Sequence, residues 1–308
     1  MLTQTENPSL DLLIPLKEKF EEALKKNISK LGEVNKLRDA CEYALLNGGK
    51  RIRPLFVQMI SDALGHGLDI YEACLSVEYF HTASLIADDL PCMDNDDYRR
   101  NKPSLHKIYG ETIALLSSYA LISAAYEKIF ESVQSMEKQK APFANRAKEA
   151  CVIALEIAAK CSGISGATGG QFLDLFSEKK EFGDIKKLIY KKTVTLFEVS
   201  FVFGWIFGGG EFERIDEIKT LAYHFGLSFQ IADDMSDFLQ DKQAGNSSNI
   251  AICLGLDEAY RHFLIEIDIF SQGLQSLGLN TPSFLQVIHF LSHQAKKARG
   301  DTPLLSFL

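Results

Sequence analysis

The sequence predicts an all-α protein, a single-domain bundle of long helices spanning residues 1–308. Three observations predict it. Apolar residues recur at helical spacing along most of the chain, only eight prolines interrupt 308 residues, and no low-complexity linker divides them. A chain of this length can bury a sizeable core.

The elements follow in order. Leu12, Leu13, Leu16, Phe20 and Leu24 form an apolar stripe, with Lys17, Glu18, Glu21, Glu22, Lys25 and Lys26 around it. Leu115, Tyr119, Ile122 and Tyr126 continue the pattern, and Asp216, Ile218, Leu221, Ala222, Phe225 and Phe229 belong to another long helix. Pro54, Pro91 and Pro103 fall where helices should begin or end. Gly163 to Gly170 and Gly208 to Gly210 read as helix terminators. The run from Thr193 to Phe203 is rich in β-formers. It has helical neighbours and no evident partner strand, so it reads as a buried helix.

Charge and cysteine content bound the function. The formal charge is −8, which argues against nucleic-acid or anionic-membrane partners and admits an anionic substrate only where cations are concentrated. Cys41, Cys74, Cys92, Cys151, Cys161 and Cys253 form no C-x-x-C pair and read as reduced thiols of a cytoplasmic protein. The N-terminal MLTQTENPSLDLLIPL has no basic region ahead of its apolar stretch and is not read as a signal peptide. The longest uncharged apolar stretch, Thr112 to Tyr126, is shorter than a membrane span of roughly 18 residues, so none is expected.

Ile86-Ala87-Asp88-Asp89 recurs as Ile231-Ala232-Asp233-Asp234, and a further aspartate follows each copy. In the second copy Asp233 and Asp237 are i and i+4 on one helix face, and Asp234 lies three before Asp237. Like charges at that spacing destabilise a helix unless a cation neutralises them. Oxygen-only ligands suit Mg²⁺, which shares its shell with water and substrate phosphates. The competing reading is a solvated acidic face. In the first copy Asp88 and Asp94 are six apart, roughly 240° around a regular helix. Pro91 ends that helix near Leu90, so the chain can turn and return Asp94 toward Asp88. Asn95, Asp96 and Asp97 extend the acidic run, and Arg99 and Arg100 follow it. This reads as a meeting place of metal and polyanion, against the simpler reading of an Asx turn.

Gly48-Gly49-Lys50-Arg51-Ile52-Arg53-Pro54 gathers cations in an acidic protein, which fits a diphosphate site that uses no metal. It lacks P-loop spacing. His81 lies seven residues before Asp88, on nearly the same helix face. One metal station and one cationic station, with apolar helices between them, are what joining two diphosphates with hydrocarbon tails needs.

GGKRIRP, HTASLIADDLPCMDNDDYRRNKPSLHKIYGE, GATGGQFLDL, the pair Lys192-Thr193 and FQIADDMSD stand in the order seen in trans-polyprenyl diphosphate synthases. The chain resembles that family from about Gly48 to Gly255, with wording near the geranylgeranyl and farnesyl diphosphate synthases of bacterial and plant type. The resemblance implies the isoprenoid synthase fold, a helical bundle around a deep apolar cavity, usually a homodimer. It implies that Asp88, Asp89, Asp94, Asp233, Asp234 and Asp237 hold Mg²⁺ on an allylic diphosphate (dimethylallyl, geranyl or farnesyl), and that Lys192 acts with them. The allylic C–O bond then ionises, the double bond of isopentenyl diphosphate attacks, and a proton is lost to the departing diphosphate. By motif, Lys50, Arg53, His81 and Arg100 bind isopentenyl diphosphate, while Arg99, Lys192, Thr193 and Gln230 serve the allylic substrate. Chain length is set in this family by bulk just before the first motif. Ala83 and Ser84, five and four residues before Asp88, are small. The implied product is therefore geranylgeranyl rather than farnesyl diphosphate.

The sequence also departs from the family pattern. The loop from Phe238 to Asn249 is short, and Asn246 stands where a Gly-Lys lysine is expected. Lys242 is near but out of place. Ala87 replaces a histidine often found there, and the tail TPLLSFL lacks a basic ending. A lost lysine removes a charge-assisted contact of about 1.5–3 kcal/mol. The alternative function is thus a catalytically weak partner subunit of a heteromeric prenyl synthase. A terpene cyclase would need one aspartate motif and leave GGKRIRP unexplained.

Overall fold

The computed structural model describes residues 10–176, 181–246 and 248–300. Most of the N-terminal stretch read for a signal peptide, and the tail TPLLSFL, lie outside the described residues. The helices are α1 Ile14–Asn27, α2 Lys36–Leu45, α3 Ile52–Leu64, α4 Tyr71–Asp88, α5 Leu105–Tyr109, α6 Glu111–Lys138, α7 Ala147–Ser162 and α8 Ala167–Phe176. They continue as α9 Phe182–Ile189, α10 Thr195–Phe207, α11 Ile215–Ser236, α12 Phe238–Ala244, α13 Ile250–Leu254, α14 Leu256–Ser276 and α15 Pro282–Arg299. Among the described residues the strands are a two-residue antiparallel pair, β1 Tyr98–Arg99 and β2 Lys102–Pro103. Pro103 ends this small ladder and stands one residue before Ser104, the N-cap of α5.

The β-rich run is the central helix. Every residue of α10 except Glu198 is buried, because α3, α4, α7 and α11 pack around it. Tertiary burial on all sides overrides the strand propensity. Phe56 of α3 ties this centre together. Its ring lies 4.3 Å from that of Phe225, 5.1 Å from Phe201 and 5.5 Å from Phe284. Truncating it to alanine would cost about 3–5 kcal/mol.

The α4–α6 pair forms one wall of the site described below. Ser76 donates to the carbonyl of Ala125 at 2.8 Å and Ser118 to that of Ala83 at 2.9 Å, so small residues bring the two helices close. The α6 stripe is a correction: Leu115, Tyr119 and Ile122 face outward, while Ala114, Leu121 and Ala125 face the core. Val152, Leu155, Ile164, Phe172 and Phe176 on or beside α7 and α8 are exposed as well. By length and composition, α6 and the stretch 144–176 are each apolar enough to cross a membrane, which the uncharged run Thr112–Tyr126 did not suggest. Within the bundle, 39% and 33% of their apolar windows are buried.

The glycine segments divide. Gly163 caps α7, but Gly169 and Gly170 lie inside α8. A Cβ on Gly170 would sit 2.4 Å from the backbone nitrogen of Lys192. Glycine here lets α8 touch the π-turn Tyr190–Val194 that carries Lys192.

Candidate active site

The first aspartate motif is built by a helix end. The amides of Asp89 and Leu90 still bond back to Leu85 and Ala87, and then Pro91 supplies no N–H. The chain reverses: Asp94 N donates to Asp88 O at 2.8 Å, and Asn95 takes φ +55°. Asp94 is thus returned beside Asp88, as Pro91 led us to expect. Gln171 of α8 donates to Asp94 Oδ1 at 2.8 Å. Burial pushes Asp88 up to about 7 against the pull of Lys192.

Asp89 points to the other side of α4. It is buried and accepts Arg99 Nε at 2.8 Å, while Arg99 also meets Asp96 at 3.1 Å. Burial raises the Asp89 carboxyl and the Arg99 hydrogen bond opposes that. The turn between β1 and β2 puts Arg100 and Asn101 at φ +55° and +63°, as a tight hairpin requires. It aims the Arg100 guanidinium at the carbonyl of Gly48. Gly49 sits at φ +122°, where a side chain would be strained, and a Cβ there would also displace the Arg100 guanidinium, 2.5 Å away at Cζ.

Arg53, His81 and Arg100 form the core of the cationic station. Arg53 Nη1 is 3.4 Å from His81 Nε2, and its guanidinium lies 4.5 Å over the Phe197 ring. Burial pushes Arg53 down to about 10, and burial with Arg53 and Arg100 nearby holds His81 well below its ordinary value. Lys50 is exposed and favours ionised Asp233 and Asp237, so it connects this station to the second motif. Arg51 is a correction to the sequence reading. Its side chain is fully buried and paired with Glu21 and Glu78, so it adds no free charge.

In the second motif Asp237 N donates to Asp233 O at 3.0 Å, which keeps the two carboxylates on one helical face at the end of α11. Burial raises both. Asp234 turns inward: Gln230 Nε2 donates to one oxygen at 2.8 Å and Ile250 N to the other at 2.7 Å. Burial lifts it to about 7. Thr193 donates to Gln230 Oε1 at 2.8 Å, so Thr193, Gln230 and Asp234 form one relay. Lys192 Nζ pairs with Asp174 Oδ2 at 2.6 Å.

Two adjoining cavities share Lys192 in their walls. The apolar one, about 370 Å³, runs from Asp88 past Ala83, Ser84 and Ile122 to Phe80, whose ring meets Tyr126 edge-on at 5.1 Å. The polar one, about 190 Å³, is walled by Asp174, Thr193, Gln230, Asp233, Asp234, Asp237, Asp241 and Asn246. Asn246 accepts from Ser248 N at 2.9 Å, while Lys242 lies over the Phe238 ring and outside the cavity wall. Sequence reasoning missed Gln171 and Asp174. Their i, i+3 spacing inside GGQFLDL was the available signal.

The donors suit Mg²⁺. Carboxylates line both cavities and, among the described residues, no thiol or imidazole does; burial disfavours the charged forms of Asp88 and Asp234, a cost that a bound cation would offset. Among the described residues no three carboxylates, histidines or cysteines converge to hold an ion alone. That fits a cation completed by substrate phosphates and water.

Residues 34–248 match the polyprenyl synthetase family. Geranylgeranyl pyrophosphate synthase 4 of Arabidopsis thaliana is 40% identical over 241 residues, which is 76% of this chain and 57% of that protein. The heterodimeric geranylgeranyl pyrophosphate synthase large subunit 2 of the same plant is 37% identical over 71% of this chain and 57% of its own length. The chain thus spans little more than half of these relatives. Among solved structures, an FPP/GFPP synthase from Zymomonas mobilis superposes with a TM-score of 0.74 at 27% identity, over 94% of this chain and all of that one. A geranyltransferase from Legionella pneumophila gives 0.73 at 26% identity, over 96% of this chain and 99% of that one. The motif order, the all-helical fold and these likenesses together make the chain a member of the polyprenyl synthetase family.

Proposed function

We infer that the chain is a short-chain prenyltransferase that condenses isopentenyl diphosphate with an allylic diphosphate to give geranylgeranyl diphosphate. One observation carries the reading: a carboxylate station and a cationic station are linked by Lys50, and Asp88 stands in the wall of an apolar cavity. Asp88, Asp94, Asp233 and Asp237 would hold Mg²⁺, which neutralises charge developing on the leaving diphosphate. Lys192, on the wall between the cavities, adds a fixed cation beside that diphosphate. Arg53, His81 and Arg100 hold the second diphosphate. The buried Phe80, Ala83 and Leu196 keep water from the allylic cation. The exposed apolar face of α6 to α8 fits a homodimer.

Incubation with Mg²⁺, isopentenyl diphosphate and each allylic diphosphate tests the reading, with products separated by chromatography. Geranylgeranyl diphosphate is the expected end product. Ala83→Tyr, which fills the cavity about a turn and a half from Asp88, should stop elongation at farnesyl. Farnesyl as the sole wild-type product would sink the chain-length assignment. The second reading, a weak partner subunit, draws on Asn246: Lys192 is the only cationic side chain among the described residues walling the acidic cavity. A folded protein that yields no product from any pair would favour it.

A further inference from the structure

Arg51 and Glu78 lie beside the cationic station, yet neither faces either cavity. Arg51 is a non-glycine residue at φ +56° and sits at the N-cap of α3. Such a backbone persists only where its surroundings fix it. Here three elements fix it through one guanidinium: Glu78 of α4 pairs with Nη1, Glu21 of α1 meets Nε at 2.8 Å, and the carbonyl of Leu45 in α2 accepts from Nη2. Arg51 and Glu78 are both buried.

We propose that Glu78, acting through Arg51, is a positioning residue for the isopentenyl diphosphate half of the site. This rests on the function proposed above. Arg51 lies between Lys50 and Arg53, so turning its side chain inward settles where those two emerge. Glu78 also precedes His81 by one helical turn, so the same stretch of α4 sets loop and imidazole together. Its second oxygen, Oε2, has no hydrogen-bond partner among the described residues. The negative charge favours the cationic forms of Arg53 and Arg100 as well as Arg51. One buried carboxylate thus keeps three guanidiniums together before a diphosphate arrives. An apolar pair of similar volume would serve stability as well as a buried ion pair. What it would not supply is a fixed loop conformation.

The double variant Arg51→Met/Glu78→Met tests this, because it removes both members of the buried pair together and leaves Glu21, which is partly exposed, without its Arg51 partner. The expected result is a cooperatively folded protein whose KM for isopentenyl diphosphate rises about tenfold, with the KM for the allylic diphosphate within about twofold. Unchanged constants, or equal rises in both, would overturn the proposal. Glu21→Gln removes an outer carboxylate and keeps the test open if the double variant does not fold; it should raise the isopentenyl constant alone, about threefold. Wild-type binding of inorganic pyrophosphate, followed calorimetrically, separates the two levels of inference. A wild type that binds none and makes no product sinks the functional reading and this proposal together. A wild type that works beside variants that keep its KM ratio sinks only this proposal.

Discussion

The carboxylate station and the cationic station are electrostatic opposites built by the same means. At one, burial raises Asp88 and Asp234 to about 7; at the other it lowers Arg53 to about 10 and holds His81 neutral. Each has one member already neutralised by the protein, Asp89 by Arg99 and Arg51 by Glu78. They differ in completeness. The cationic side chains come from α3, α4 and the β-hairpin and are assembled around Gly49. Among the described residues the carboxylates converge on no closed ion site. On the function proposed above, the first station would bind a diphosphate with side chains already in place, whereas the second would need both a metal and a substrate to be complete.

Removing charge from the incomplete station should therefore have the largest effect. Asp88→Asn and Asp233→Asn are each expected to lower kcat by about 10²-fold or more, the scale of losing one preorganised group from a charge-stabilised transition state. The KM for isopentenyl diphosphate should stay within about threefold. Equal losses in both constants would break the division between stations. Adding a cation to the acidic cavity is the complementary change. Asn246→Lys should lower the KM for the allylic diphosphate about tenfold, the lower end of a charge-assisted contact. Steady-state kinetics with the allylic substrate varied will measure it. An unchanged KM would mean that Lys192 and metal already suffice.

How much of this was readable in the sequence depended on the distance over which each feature is decided. The Pro91 turn is local, so the return of Asp94 to Asp88 followed from a few residues. The helix α10 was readable despite its β-formers, because no partner strand existed for it. The α6 stripe misled because large apolar side chains at helical spacing look the same whether they face a core or an outer surface. The inward turn of Arg51 depends on carboxylates 30 and 27 residues away, and the support of Asp94 by Gln171 spans 77. Spacing cannot reveal such pairs. It identified the charged stations but not which member of each the protein neutralises.

The smallest expected effect concerns the finished station and appears only in acid. His81 is half-buried beside Arg53 and Arg100, with Arg51, Arg99 and the Glu78 carboxylate of the same helix also near it. Burial and the arginines outweigh that carboxylate, so the folded imidazole stays neutral while the unfolded chain titrates near the ordinary value of about 6.5. Below that pH the unfolded state binds the extra proton, so this group makes stability fall as pH falls. Its effect vanishes above about pH 7.5. His81→Asn keeps a polar side chain and removes the titration. Between pH 6.5 and 5.5 the wild type should lose up to about 1 kcal/mol relative to the variant. Urea unfolding of both proteins at a series of pH values measures the difference. Parallel curves would mean that His81 accepts its proton in the folded state, and that the cationic station is less closed to further positive charge than its geometry implies.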